Sequence, residues 1–96
     1  MTTVRFTLRA EADILSIHDY TVASFGVVQW VKYESVLKQA FENIRSNPQI
    51  GSDFSAVKPG VRRMISRNHV IYYRVAEEFI LVLRILSLQQ DPGRHL

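Results

Sequence analysis

Helical periodicity runs almost unbroken from residue 10 to residue 45, and its one interruption, Gly26, folds the chain into a hairpin of two helices. Ala10, Ile14, Ile17 and Thr21 share one face of the first segment, with Leu15, His18, Val22 and Phe25 beside it. Glu11 and Asp13 stand in its first turn, where carboxylates suit the positive end of the helix dipole. Gly26 follows Phe25 as a glycine stop. In the second segment Trp30, Tyr33, Leu37, Ala40, Phe41 and Ile44 recur at spacings of three and four, while Lys32, Glu34, Lys38, Glu42 and Arg45 fill the other side. Asn47-Pro48 ends it, because proline disfavours helical backbone in the residue before it. So short a gap makes the two helices antiparallel neighbours.

Around this hairpin the pattern changes to that of strands. Val4-Arg5-Phe6-Thr7-Leu8 alternates apolar and polar. Residues 47–60 carry Asn47, Pro48, Gly51, Pro59 and Gly60 and read as a loop. Three strands follow, Val61 to Ser66, His69 to Val75 and Phe79 to Leu86, with turns at Arg67-Asn68 and Ala76-Glu77-Glu78. The polar tail should leave the sheet at Pro92. The expectation is one α+β domain spanning residues 1–96, ordered β-α-α-β-β-β, with the helical hairpin packed on one face of an antiparallel sheet.

Composition excludes several chemistries. There is no cysteine, so thiolate catalysis and thiolate zinc sites are out. His18, His69 and His95 lack metal-ligand spacing, no glycine-rich phosphate loop occurs, and no cofactor is expected. The N-terminal residues show no signal-peptide pattern and the longest apolar run, Phe79 to Leu83, is too short to span a bilayer, so a cytoplasmic protein with no membrane partner is expected. The net charge of +3 is concentrated at one end: residues 61–96 hold six bases, all Arg, against three acids. Arginine suits bidentate pairing with carboxylate or phosphate, which points to an acidic partner or a nucleic acid.

The face of the sheet away from the helices is expected to carry function. Alternation puts Ile71, Tyr73 and Val75 on one side of the third strand and Val70, Tyr72 and Arg74 on the other. In the fourth it sets Leu81, Leu83 and Ile85 against Ile80, Val82, Arg84 and Leu86, and in the first Val4, Phe6 and Leu8 against Arg5 and Thr7. The purely apolar sets should pack under the helices. The other side then mixes Val70, Tyr72, Ile80, Val82 and Leu86 with Arg5, Arg74 and Arg84, the make-up of an interface core rather than of a solvated face. If the tail or the 47–60 loop folds over that side, the interface reading fails. A convergence of Arg67, His69, Tyr72, Arg74, Arg84 and His95 would supply the base, acid and cations that RNA cleavage needs.

The ordered segments Ala10-Glu11-Ala12-Asp13-Ile14, Asp19-Tyr20-Thr21, Asn47-Pro48-Gln49-Ile50-Gly51, Pro59-Gly60-Val61-Arg62-Arg63, His69-Val70-Ile71-Tyr72-Tyr73-Arg74-Val75 and Asp91-Pro92-Gly93-Arg94-His95-Leu96 resemble the ParE branch of the RelE/ParE toxin superfamily over nearly the whole chain. That resemblance implies the toxin of a type II toxin–antitoxin pair. Such a toxin inhibits DNA gyrase by binding, without catalysis, and is neutralised in a hetero-oligomer by a ParD-like antitoxin through which alone it meets DNA. An amphipathic, partly acidic antitoxin segment is expected along Arg5, Val70, Tyr72, Arg74, Ile80, Val82 and Arg84. Arg62, Arg67, His69, Arg94 and His95 are the candidates for contact with the target. The alternative is a ribosome-dependent mRNA endoribonuclease of the RelE type; against it, His95 is followed by Leu96 rather than Tyr, and only Lys58 follows Lys38.

Overall fold

The computed structural model describes residues 2–96. Strand β1 (Thr3–Phe6) leads into α1 (Leu8–Phe25) and α2 (Val27–Ser46), followed by β2 (Ser52–Asp53), β3 (Val61–Ser66), β4 (His69–Val75), β5 (Phe79–Ser87) and a single turn, α3 (Pro92–His95). One five-stranded sheet has the order β1-β5-β4-β3-β2. The α+β layout and the hairpin on one face match the sequence reading. Three features depart from it: β1 pairs parallel with β5, the loop contributes the short β2, and the tail forms α3.

Thr7 ends β1 and begins α1. Its side-chain oxygen accepts from the Ala10 amide at 3.0 Å, as an N-cap does, while its hydroxyl donates to the Leu83 carbonyl at 2.7 Å. At Gly26, φ is +91°, a conformation glycine adopts without steric cost, and its amide closes α1 on the Val22 carbonyl. Between the hairpin and the sheet lies the main core of Ala10, Ile17, Ala40, Ile44, Ile71, Tyr73, Ile80, Val82 and Ile85, flanked by Val4, Phe6, Trp30 and Phe41. Tyr73, fully buried, ties the loop after α2 to this core: its hydroxyl donates to the Pro48 carbonyl at 2.8 Å and accepts from the Gly51 amide at 2.9 Å. Among the described residues no helix is long and apolar enough to cross a membrane.

One irregularity in β5 overturns part of the expected face assignment. Tyr72 pairs with Arg84 but Tyr73 with Val82, so β5 carries an extra residue, a β-bulge. A one-residue insertion inverts which side chains face the core. Before the bulge Ile80 and Val82 point under the helices, not away from them, while Leu83 packs on the opposite side. After it, Ile85 and Leu86 fall where strict alternation puts them.

Candidate functional site

The second face of the sheet is largely closed by the protein itself. Val61, Val70, Tyr72 and Leu86 form a separate buried cluster, and Phe54 from the long loop, Leu83 and Leu96 from the tail pack against it. Val70 and Tyr72 are 4% and 2% exposed, and Ile80 and Val82 are fully buried. These four residues therefore do not present the exposed apolar ground expected of them. The polar loop and tail each bring one apolar residue, and a sheet with apolar side chains on both faces needs a cover on both. The Phe54 ring lies 5.5 Å from that of Tyr72, and the Arg63 guanidinium stacks 4.9 Å from the Phe54 centroid. Burial raises the Tyr72 phenol above its usual range, against the opposing effect of Arg63.

Arg84 is not an exposed anchor either. Its Nε and Nη2 bind the two oxygens of Asp13 on α1 at 2.8 and 2.9 Å, and its Nη1 donates to the His95 carbonyl at 3.1 Å. The same carboxylate accepts from the Ile85 amide at 2.9 Å. The two side chains are 16% and 13% exposed, and the hydrogen bond to Asp13 holds the guanidinium even more firmly protonated than usual. On the β1 side of β5 the pairing ends at Phe6 with Val82, and beyond it α1 supplies Asp13 as the acceptor for the Ile85 amide. Arg84 thus anchors the bulge, the first helix and the tail together.

Arg5 and Arg74 remain exposed, both in register with Leu81 from opposite sides. The Arg5 guanidinium stacks 4.5 Å above the Phe79 ring, and Arg74 donates to the Pro59 carbonyl at 3.2 Å. Arg74, Arg84 and His95 line a concavity of about 180 Å³ together with Arg9, Lys58 and Leu96.

The residues expected to meet the target do not gather in one place. Arg62 is structural: it donates to the Gly51 and Gln49 carbonyls and braces the loop. Arg67 sits exposed in the β3–β4 turn with φ +54°, and Arg94 is exposed on α3. His95 lies in the basic concavity. His69 lines a different and larger cleft, about 540 Å³, with Ser16, Tyr20, Asn68, Ser87 and Leu88. There its Nδ1 shares a hydrogen bond with the Tyr33 hydroxyl. His69 thus lines a different cleft from Arg74, Arg84 and His95, Arg67 lines neither, and Tyr72 is in cross-strand register with Arg84.

Burial holds His69 below its ordinary value of 6.5, only partly offset by Asp13, and so favours the neutral ring in the folded chain. Below 6.5 the unfolded chain then binds a proton that the folded chain resists. Stability should accordingly be complete above that pH and fall as pH drops from 6.5 toward the depressed native value. Urea midpoints measured across that window should slope upward with pH, and His69→Gln should flatten the slope; an unchanged slope would exclude this histidine as its source.

Ile65 of β3 is an exposed apolar residue on the second face, and a larger group of them lies at the tip of the helical hairpin. Tyr20 and Phe25 of α1 stack edge-on at 6.3 Å, and Val27, Val28 and Val31 follow on α2, all more than half exposed. Sequence reasoning passed over these residues, although Val27, Val28 and Val31 lie off the face marked by Tyr33, Leu37, Ala40 and Ile44. It also passed over Asp13 as a partner for Arg84, and Arg9 and Lys58 as neighbours of Arg74.

Comparison with known proteins covers nearly the same span as this geometry. A family model described as the ParE toxin of the type II toxin–antitoxin system parDE matches residues 4–92. The Toxin ParE1 of Mycobacterium tuberculosis is 33% identical over 88 residues, covering 91% of this chain and 90% of its own length. The Toxin ParE1 of Caulobacter vibrioides is 32% identical over 92 residues, covering 96% and 95%. A solved structure described as the chromosomal ParDE TA system from P. aeruginosa superposes with a TM-score of 0.79 at 23% identity, over 93% of this chain and 98% of that one, a likeness of fold.

Proposed function

Because the chain belongs to the ParE toxin family of type II toxin–antitoxin systems, we propose that it inhibits DNA gyrase by binding and is neutralised by a partner antitoxin. The observation that carries a binding mode of action is the dispersal of the chemically capable side chains. Cleavage of a ribose-phosphate bond requires a base, an acid and cations within about 3 Å of one reacting group. Here His69 is engaged by Tyr33 in one cleft, while Arg84 is committed to Asp13 in another. The direct test is ATP-driven supercoiling of relaxed plasmid. Toxin near the gyrase concentration should stop it, and equimolar antitoxin should restore it. Undisturbed supercoiling at large toxin excess would refute the proposal.

The sealed second face moves the antitoxin site. A segment that folds on binding needs exposed apolar anchors to offset its ordering entropy, and the second face offers few. Tyr20, Phe25, Val27, Val28 and Val31 offer them, and we assign the antitoxin's amphipathic segment to this tip. Val28→Asp with Val31→Asp should leave folding intact, since both positions are exposed, and weaken antitoxin affinity by roughly 30-fold or more, the scale of a lost hot spot. A titration showing unchanged affinity would remove the hairpin tip from the interface.

A further inference from the structure

We propose that the concavity lined by Arg9, Lys58, Arg74, Arg84 and His95 is a phosphate-binding site that engages the backbone of a nucleic-acid strand directly. This goes beyond the gyrase-binding function, in which DNA is reached only through the antitoxin, and it stands or falls independently of that function.

Four permanent cations and a histidine line a space of about 180 Å³. Among the described residues the side-chain carboxylate bonded to any of them is that of Asp13, which is taken up by Arg84 and the Ile85 amide. Lys58 donates to the main-chain oxygen of Leu96, the last residue of the sequence, and Arg74 to the carbonyl of Pro59, which carries no charge. Arg9 is exposed, with no hydrogen bond or ion pair from its side chain among the described residues. Arg9 and Arg74 are the two lining cations with no carboxylate partner among the described residues, and an anion seated between them relieves their repulsion.

The size and setting select the anion. A space this small admits a single tetrahedral or carboxylate group, not a folded ligand. Arg5, which lines a separate hollow with Glu77 and Glu78, lies across Leu81 from Arg74, two strand spacings or roughly 10 Å away. A strand of linked phosphates can use several such cations in succession, and cations alone suffice for it. An acidic peptide would seek exposed apolar ground beside its carboxylates. That ground is covered here by Phe54 and Leu96.

Fluorescence anisotropy of a labelled single-stranded 20-nucleotide DNA with the isolated toxin tests the proposal, run beside the matching duplex and RNA. Binding should weaken steeply between about 50 and 200 mM salt, as counterion release requires. Arg9→Glu with Arg74→Glu should cut affinity at least ~10-fold, and Arg9→Gln with Arg74→Gln should fall between that variant and wild type. Both sites are exposed, so circular dichroism and the thermal midpoint should stay unchanged. Lys32→Glu with Lys38→Glu, on the outer side of α2, alters net charge equally and should weaken binding far less. Loss of the same size in that control would reduce the effect to general charge and overturn the site. No binding of any strand at 50 mM salt would overturn it as well. Displacement of the strand by poly-glutamate of equal charge at lower concentration than by pyrophosphate would reassign the cleft to an acidic peptide. Binding of pyrophosphate with no binding of any strand would reassign it to a free phosphate.

Discussion

Replacing Asp13 by Ala should cost the fold about 3–5 kcal/mol, the penalty of leaving a mostly buried charge without its partner. Three donors lose their acceptor at once: two guanidinium nitrogens of Arg84 and the amide of Ile85. Water reaches the pair poorly, since the two side chains are 16% and 13% exposed. A domain of this size has ~5–15 kcal/mol of stability in total, so the loss is a large share of it. Asp13→Asn should cost less, because one amide oxygen still accepts from Ile85. Asp13→Leu with Arg84→Met should cost less than either single apolar change, because it removes both charges together. Urea denaturation checks the series: the midpoint should fall with little change in slope. A shift equivalent to less than about 1 kcal/mol for Asp13→Ala would mean that solvent, not Arg84, satisfies this carboxylate. The same pair explains why Arg84→Glu is a poor probe of partner binding. It would set two carboxylates face to face and unfold the tail before any interface was tested.

Tyr73 is the second position where a large effect is expected. Its ring sits fully buried in the main core while its hydroxyl serves the loop after α2. Tyr73→Ala should cost about 3–5 kcal/mol through the cavity it leaves. Tyr73→Phe keeps the ring but orphans the Gly51 amide, with an expected cost of about 1–3 kcal/mol. Gly51 is part of the same joint: a Cβ there would stand 2.5 Å from the Tyr73 hydroxyl and 2.8 Å from the Arg63 carbonyl. Gly51→Ala should therefore destabilise as well, by pushing the loop off β3. Hydrogen exchange of the Gly51 amide distinguishes the two losses. In Tyr73→Phe it should exchange quickly while β4 amides stay protected; slow exchange would show that another acceptor had replaced the hydroxyl.

The hairpin and four of the five strands were legible because each is local. Spacings of three and four from Trp30 to Ile44, the glycine at 26 and Asn47-Pro48 are properties of adjacent residues. The bulge in β5 was not legible. It depends on the pairing of Tyr72 with Arg84 and of Tyr73 with Val82, and on Thr7 and Asp13, which hold the bulged strand from the far end of the chain. Strict alternation therefore misplaced Ile80 and Val82. The same limit hid the ion pair between Asp13 and Arg84, 71 residues apart, since a carboxylate in a first helical turn already has a sufficient local reason. The closure of the second face depended on where Phe54 and Leu96 come to rest, and polar segments give little sign of that. Family membership was legible because ordered short segments survive where contacts cannot be read.

The proposed mode of action is occupation of a target, not cleavage of RNA. The most direct measurement combines Arg67→Ala, His69→Gln and His95→Gln in one chain and follows growth arrest on expression without antitoxin, beside the integrity of ribosome-bound mRNA. Wild type should arrest growth with ribosome-bound mRNA intact, and mRNA should be equally intact for the folded variant, whatever its effect on growth. Full recovery of growth by that folded variant, together with cleaved mRNA in the wild type, would contradict that mode of action.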